Sequence, residues 1–150
     1  ATEVSKRDLV SFQEELEFTR AYLSLDTKRI GDRLKIEYRV APEALHDRVP
    51  PLIFQPLVEN AIKHGIEPSE AGGKVSIVIE VHGPRLMIRI VNTGVGFRPN
   101  EGGRTDGIGL RNTDLRLRTL YGESSALQTK TAEAGGFEVA FSIPIDPEVH

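Results

Sequence analysis

A chain of 150 residues has room for one hydrophobic core, and 39% hydrophobic with 27% charged residues is the composition of an ordinary soluble globular domain. A net charge of -3 leaves no basic footprint for broad nucleic-acid binding, and the absence of cysteine removes disulfides, thiolate nucleophiles and thiolate metal sites. No apolar run reaches the length of a membrane span, and no targeting peptide is visible; the start at Ala1 without an initiator Met is read as the cut end of a larger protein.

In chain order, Ser5 with Asp8 is expected to cap a first helix whose Leu9, Phe12, Leu16, Thr19 and Leu23 follow three-four spacing to about Lys28. Leu34, Ile36, Tyr38 and Val40 alternate with Lys35, Glu37 and Arg39 as in a half-buried strand. A second helix follows from Pro56 to Gly65. At 100° per residue, Leu57, Val58, Ala61 and Ile62 share one arc, and Glu59, Asn60, Lys63 and His64 share the opposite one. Val75, Ile77, Ile79 and Val81 form the next strand, and His82-Gly83-Pro84 turns it back into an alternating strand at 85–91. The polar stretch 97–106 reads as a mobile loop. Gly107-Ile108-Gly109 opens a third helix with Leu110, Leu117 and Tyr121 on one side and Gly122 as its stop, and strands near 126–131 and 137–143 complete the set. There is no internal repeat. The expected fold is α/β, an α+β two-layer sandwich with a mixed sheet of about five strands covered by helices on one face.

Three runs carry chemistry. The outward arc of the second helix presents a carboxylate, an amide, an ammonium and an imidazole together, suited to a metal-phosphate group; a plain solvated face with Glu59 and Lys63 paired at i,i+4 explains the same residues. Asn92-Thr93-Gly94-Val95-Gly96 stands at a strand end, where glycines let a flat ligand approach and the Asn92 amide matches the donor and acceptor of an adenine edge; a simple β-turn is the other reading. Gly107-Ile108-Gly109-Leu110 places free N–H groups and a positive dipole end where phosphate oxygens can dock, after a loop able to act as a lid. Competing motifs fail. Gly73-Lys74 has Pro68 where a P-loop needs its first glycine, and Gly107-Ile108-Gly109 meets Asn112 where a dinucleotide fold needs glycine or alanine. His46, His82 and His150 lack metal-ligand spacing, and no serine has a nucleophile-elbow setting.

In this order and spacing the three runs resemble the N, G1 and G2 boxes of the Bergerat-fold ATP-binding domain found in gyrases, heat-shock chaperones, histidine kinases and mismatch-repair proteins. The wording of 51–65, of Gly107-Ile108-Gly109-Leu110-Arg111-Asn112-Thr113 and of 117–122 is most similar to the LytS-type sensor histidine kinases. The segment from Glu15-Leu16-Glu17 through Tyr22-Leu23 to Arg29-Ile30-Gly31-Asp32-Arg33-Leu34 resembles the tail of that family's dimerisation region, so the likeness spans nearly the whole chain.

The resemblance implies a helical connector over 1–30 and an ATP-binding catalytic domain over 31–150. It implies ATP and Mg²⁺ as cofactors, with Asn60 as the metal ligand through its amide oxygen and Glu59 polarising an attacking imidazole or water. Lys63 and His64 would meet the phosphates, Asn92, Gly94 and Gly96 the adenine, and Gly107, Gly109 and Leu110 the lid. The activity implied is transfer of the γ-phosphoryl group of ATP to a histidine outside the chain, for relay to the aspartate of a response regulator. The parent is expected to be a membrane-anchored homodimer with this domain in the cytoplasm. None of the four histidines lies in the family's Pro-His-Phe acceptor helix, so the chain alone is expected to bind ATP without phosphorylating itself. Two residues depart from the pattern. Asn92 stands where many relatives carry Asp, and Phe137 follows Gly135-Gly136 where many carry Thr. The alternatives are a non-kinase Bergerat-fold ATPase or serine kinase, and a degenerate interaction module that binds no nucleotide.

Overall fold

A computed structural model describes residues 9–93, 108–131 and 135–145. Helix α1 (Phe12–Ile30) begins later than expected. Val10 and Ser11 are extended, forming strand β1 against β3 (Arg48–Val49), and that pairing keeps them out of the helix. The cap is Ser11: its hydroxyl accepts from the Glu14 N–H at 3.0 Å while the Glu14 carboxylate accepts from the Ser11 N–H at 3.2 Å, a reciprocal capping box. Ser5 and Asp8, the cap expected from the sequence, lie outside the described residues, and Leu9 is not helical. The next two free N–H groups, of Phe12 and Gln13, bond to the carbonyls of Asp47 and Leu45. Gly31, at φ 74°, ends the helix.

The main sheet has five strands: β2 (Leu34–Val40), β4 (Gly73–His82), β5 (Arg85–Asn92), β6 (Gln128–Thr131) and β7 (Phe137–Pro144). Their order is β2-β4-β5-β7-β6, with β2 parallel to β4 and every other pair antiparallel. This is the expected mixed sheet. The period-two alternation sorts the faces: Ile77, Ile90 and Val139 share one row, Ile79, Ile88 and Phe141 the next, and all six are buried. Against that face lie α1, α2 (Phe54–Ala61) with the π-helical turn Ile62–Ile66 that continues it, and α3 (Ile108–Tyr121). Phe12, Leu16 and Leu23 of α1, Leu57 and Val58 of α2 and Leu117 of α3 meet in one core. Gly122, at φ 93°, stops α3 by donating to the Arg118 carbonyl.

Candidate nucleotide site

The sheet-facing positions of β5 run Leu86, Ile88, Ile90 and then Asn92. An amide therefore occupies the last place of an apolar row, in register with Val75 on one side and Phe137 on the other. Asn92 is only 2% exposed, and its Nδ2 donates to the Thr93 carbonyl at 2.9 Å. Thr93 is itself fixed to β4: its N–H donates to the Lys74 carbonyl and its hydroxyl accepts from the Lys74 N–H at 2.8 Å. Two glycines make room for this corner. A Cβ on Gly65 would lie 2.1 Å from the Asn92 Nδ2, and one on Gly136 would lie 1.7 Å from the Asn92 carbonyl oxygen. Any side chain at either position displaces Asn92.

Gly65 reaches Asn92 because the second helix does not finish as an α-helix. Residues 62–66 form a π-turn, and the Glu67 N–H returns to the Ile62 carbonyl. The wider turn buries Gly65 and Ile66 together with Ile62, leaving Lys63 and His64 exposed. One turn earlier, Glu59 is exposed and Asn60 half-buried, opposite the buried Leu57, Val58 and Ala61. The two arcs read from the sequence are thus the two sides of the helix. The contact that Glu59 makes comes from α1, where the Tyr22 hydroxyl donates to Glu59 Oε2 at 2.7 Å. That bond pushes the Tyr22 phenol above its ordinary range, with burial adding to it and Gln55 working against it.

The start of α2 has no side-chain cap of its own. Glu15 of α1 supplies one across the interface. Its carboxylate, 1% exposed, accepts from the N–H groups of Leu52 at 3.0 Å, Ile53 at 2.6 Å and Phe54 at 3.0 Å. A negative charge at a helix N-terminus is favourable, and three charge-assisted bonds offset its burial. They also hold Leu52 at φ 62°, a left-handed conformation uncommon for leucine.

The beginning of α3 lies beside the beginning of α2. Leu110 is buried, Gly109 is exposed, and a Cβ on Gly109 would sit 3.5 Å from that of Pro56. Arg116 ties α3 down by donating to the Pro51 carbonyl at 2.9 Å, and Asp114 binds both the Leu127 N–H and Arg118. These arginines serve the packing of α3. Gly94, Gly96 and Gly107, with the loop at 97–106, lie outside the described residues.

Among the predicted site residues, the structure thus sets Asn92 against the end of the second helix, Gly109 and Leu110 against its start, and Glu59, Asn60, Lys63 and His64 on its outward side. The sequence reading missed Glu15, Tyr22 and the contact role of Gly65. Glu15 and Tyr22 are seven residues apart, 700° or nearly two full turns, so both fall on one side of α1; that spacing was the available signal. Among the described residues no three His, Cys, Asp or Glu side chains gather to hold a metal. An amide oxygen beside a carboxylate does suit Mg²⁺, a hard cation that commonly takes one or two protein oxygens and completes its shell with phosphates and water.

Comparison with known proteins gives the family and the fold. A family described as histidine kinase-, DNA gyrase B-, and HSP90-like ATPase matches residues 50–147. The chain is 35% identical over 149 residues to sensor histidine kinase YpdA of Escherichia coli (strain K12), covering 95% of this chain and 26% of that one. It is 30% identical over 150 residues to sensor protein LytS of Enterococcus faecalis, covering 93% and 25%. It therefore spans about a quarter of the length of these relatives. Among solved structures, the catalytic domain of histidine kinase ThkA superposes with a TM-score of 0.70 at 20% identity, covering 95% of this chain and 99% of that one. ThkA in complex with response regulator protein TrrA gives 0.65 at 20% identity, covering 93% and 42%. The fold is that of histidine kinase catalytic domains, and the chain belongs to the family of histidine kinase-, DNA gyrase B- and HSP90-like ATPases.

Proposed function

We propose that this chain is the ATP-binding catalytic domain of a LytS-type sensor histidine kinase, acting within a longer protein whose dimerisation and phosphoacceptor region precedes residues 1–30. The observation that carries the reading is the buried Asn92 amide at the end of an apolar strand face, with Gly65 and Gly136 closed around it and Glu59 and Asn60 on the adjoining helix. Asn92 meets the adenine edge, with Gly94 and Gly96 beside the ring. Lys63, His64 and the backbone of Gly107 and Gly109 meet the phosphates, with Leu110 anchoring the helix start. Asn60 would hold Mg²⁺ through its amide oxygen, and the ion would supply positive charge to the phosphates.

Glu59 accepts a hydrogen bond from one ring N–H of the incoming histidine, steering the other nitrogen toward the γ-phosphorus. A nitrogen–phosphorus bond forms as the bond to the bridging oxygen breaks; ADP leaves with that oxygen's charge, and the ring N–H proton passes to Glu59. The phosphoryl group then passes to an aspartate of a response regulator, the class of protein with which ThkA is described in complex. Among the described residues no helix is long and apolar enough to cross a membrane. We propose that the parent is an inner-membrane homodimer holding this domain in the cytoplasm. Labelling with γ-³²P-ATP tests this: the longer protein gains acid-labile, base-stable phosphate and passes it to a response regulator, whereas the 150-residue chain binds ATP and gains none. Acid-stable phosphate, or ATP hydrolysis without any phosphoprotein, overturns the kinase assignment.

A further inference from the structure

Helix α1 touches the second helix through three polar rungs at a constant interval. Glu15 binds the N–H groups of residues 52–54, Tyr22 binds Glu59, and Arg29 binds Glu67 at 2.6 Å. The rungs are seven residues apart on α1 and advance in the same direction along the second helix. The two segments therefore run side by side in one register, from the start of α2 to the residue after its π-turn. The outer rungs bind a helix end and a surface carboxylate. The middle rung binds the one side chain to which phosphoryl transfer has been assigned.

We propose that Tyr22 is a positioning residue for Glu59, holding its carboxylate in the orientation that phosphoryl transfer requires and making that orientation depend on the register of α1. The inference rests on the proposed role of Glu59. A carboxylate on an exposed helix face is free to sample several rotamers, and a hydroxyl bonded to Oε2 selects one while leaving Oε1 able to accept. The phenol, with its ionisation pushed upward, stays a donor throughout the neutral range. Part of its ring packs on the core, so the hydroxyl is set by α1 and not by its own flexibility.

The test uses the longer protein and four forms: wild type, Tyr22→Phe, Glu59→Gln and the double variant. Tyr22→Phe is expected to lower the autophosphorylation rate about tenfold while the ATP dissociation constant and thermal midpoint hold steady, since misplacing a reacting group costs rate and not affinity. The double variant should be no slower than Glu59→Gln alone. Ultraviolet titration supplies a readout without catalysis: the Tyr22 phenol, held above its ordinary range by Glu59, titrates lower in Glu59→Ala. An unchanged or raised rate in Tyr22→Phe, a matching loss of ATP affinity, or additive losses in the double variant overturns the proposal. A Glu59→Gln protein that binds ATP and still phosphorylates itself at the wild-type rate defeats instead the role given to Glu59.

Discussion

The two faces of the sheet use charge in opposite ways. On the open face, ionisable side chains pair in partly exposed positions, Glu37 with Arg39 at 3.0 Å and Lys74 at 3.6 Å and Glu80 with His82 at 3.1 Å, while the buried Glu138 carboxylate takes both Arg89 at 3.6 Å and Lys130 at 3.7 Å. On the helical side, two buried polar groups are held from several sides. Glu15 has three backbone donors and Asn92 is enclosed by two glycines. Solvent screens the exposed pairs, so each contributes little. The buried groups of the helical side cannot be lost without leaving others unpaired. Removing Glu15 or displacing Asn92 should therefore cost more than breaking an exposed pair of the open face.

The sharpest way to break this contrast is Glu15→Ala. It strands three N–H groups at the start of α2 and should cost about 3 kcal/mol or more in a denaturant melt. A loss no larger than that of a surface pair would erase the distinction between the faces.

Gly65→Ala comes next. In an ordinary helix this change gains up to about 1 kcal/mol, but here the new methyl must push Asn92 aside. We expect nucleotide affinity to fall about tenfold or more, and the same change in an Asn92→Ala background to cost little further affinity. Equal losses in both backgrounds would show that Gly65 acts elsewhere.

Asn60→Ala should weaken ATP several-fold in Mg²⁺ and leave the Mg²⁺-free affinity alone, as titrations with and without chelator would reveal. Undiminished Mg²⁺-dependent binding removes Asn60 as the ligand.

The smallest effect belongs to the open face. The Ser76 hydroxyl, then Arg39 and Lys74, hold the Glu37 carboxyl below its ordinary range. A depressed folded value means stability present above the ordinary carboxylate range and lost as pH falls through the folded value. Glu37→Gln should thus be slightly less stable than wild type at neutral pH and equal to it in strong acid; a gap that widens on acidification contradicts the sign.

Much of the fold was legible because periodicity states it directly. Leu86, Ile88 and Ile90 alternate, the two arcs of the second helix separate, and Gly83 and Gly122 mark turns, so the strands fell within a residue or two of where they lie. The start of α1 was misplaced because a two-strand contact with Arg48–Val49, distant in sequence, holds Val10 and Ser11 extended. The same blindness to distance hid Glu15 and Tyr22, whose partners are 37 to 39 positions away. Their seven-residue spacing sets them on one side of α1 but does not name a partner. Gly65 was readable as part of a motif but not as a contact, since a π-turn has no period that a sequence scan detects.

The most direct test of the account is calorimetric titration of the folded chain with a non-hydrolysable ATP analogue and Mg²⁺. One site per chain with micromolar-range affinity, weakened by Asn92→Ala and by Gly65→Ala, is the expected result. A cooperatively folded chain that releases no heat with any adenine nucleotide would contradict it.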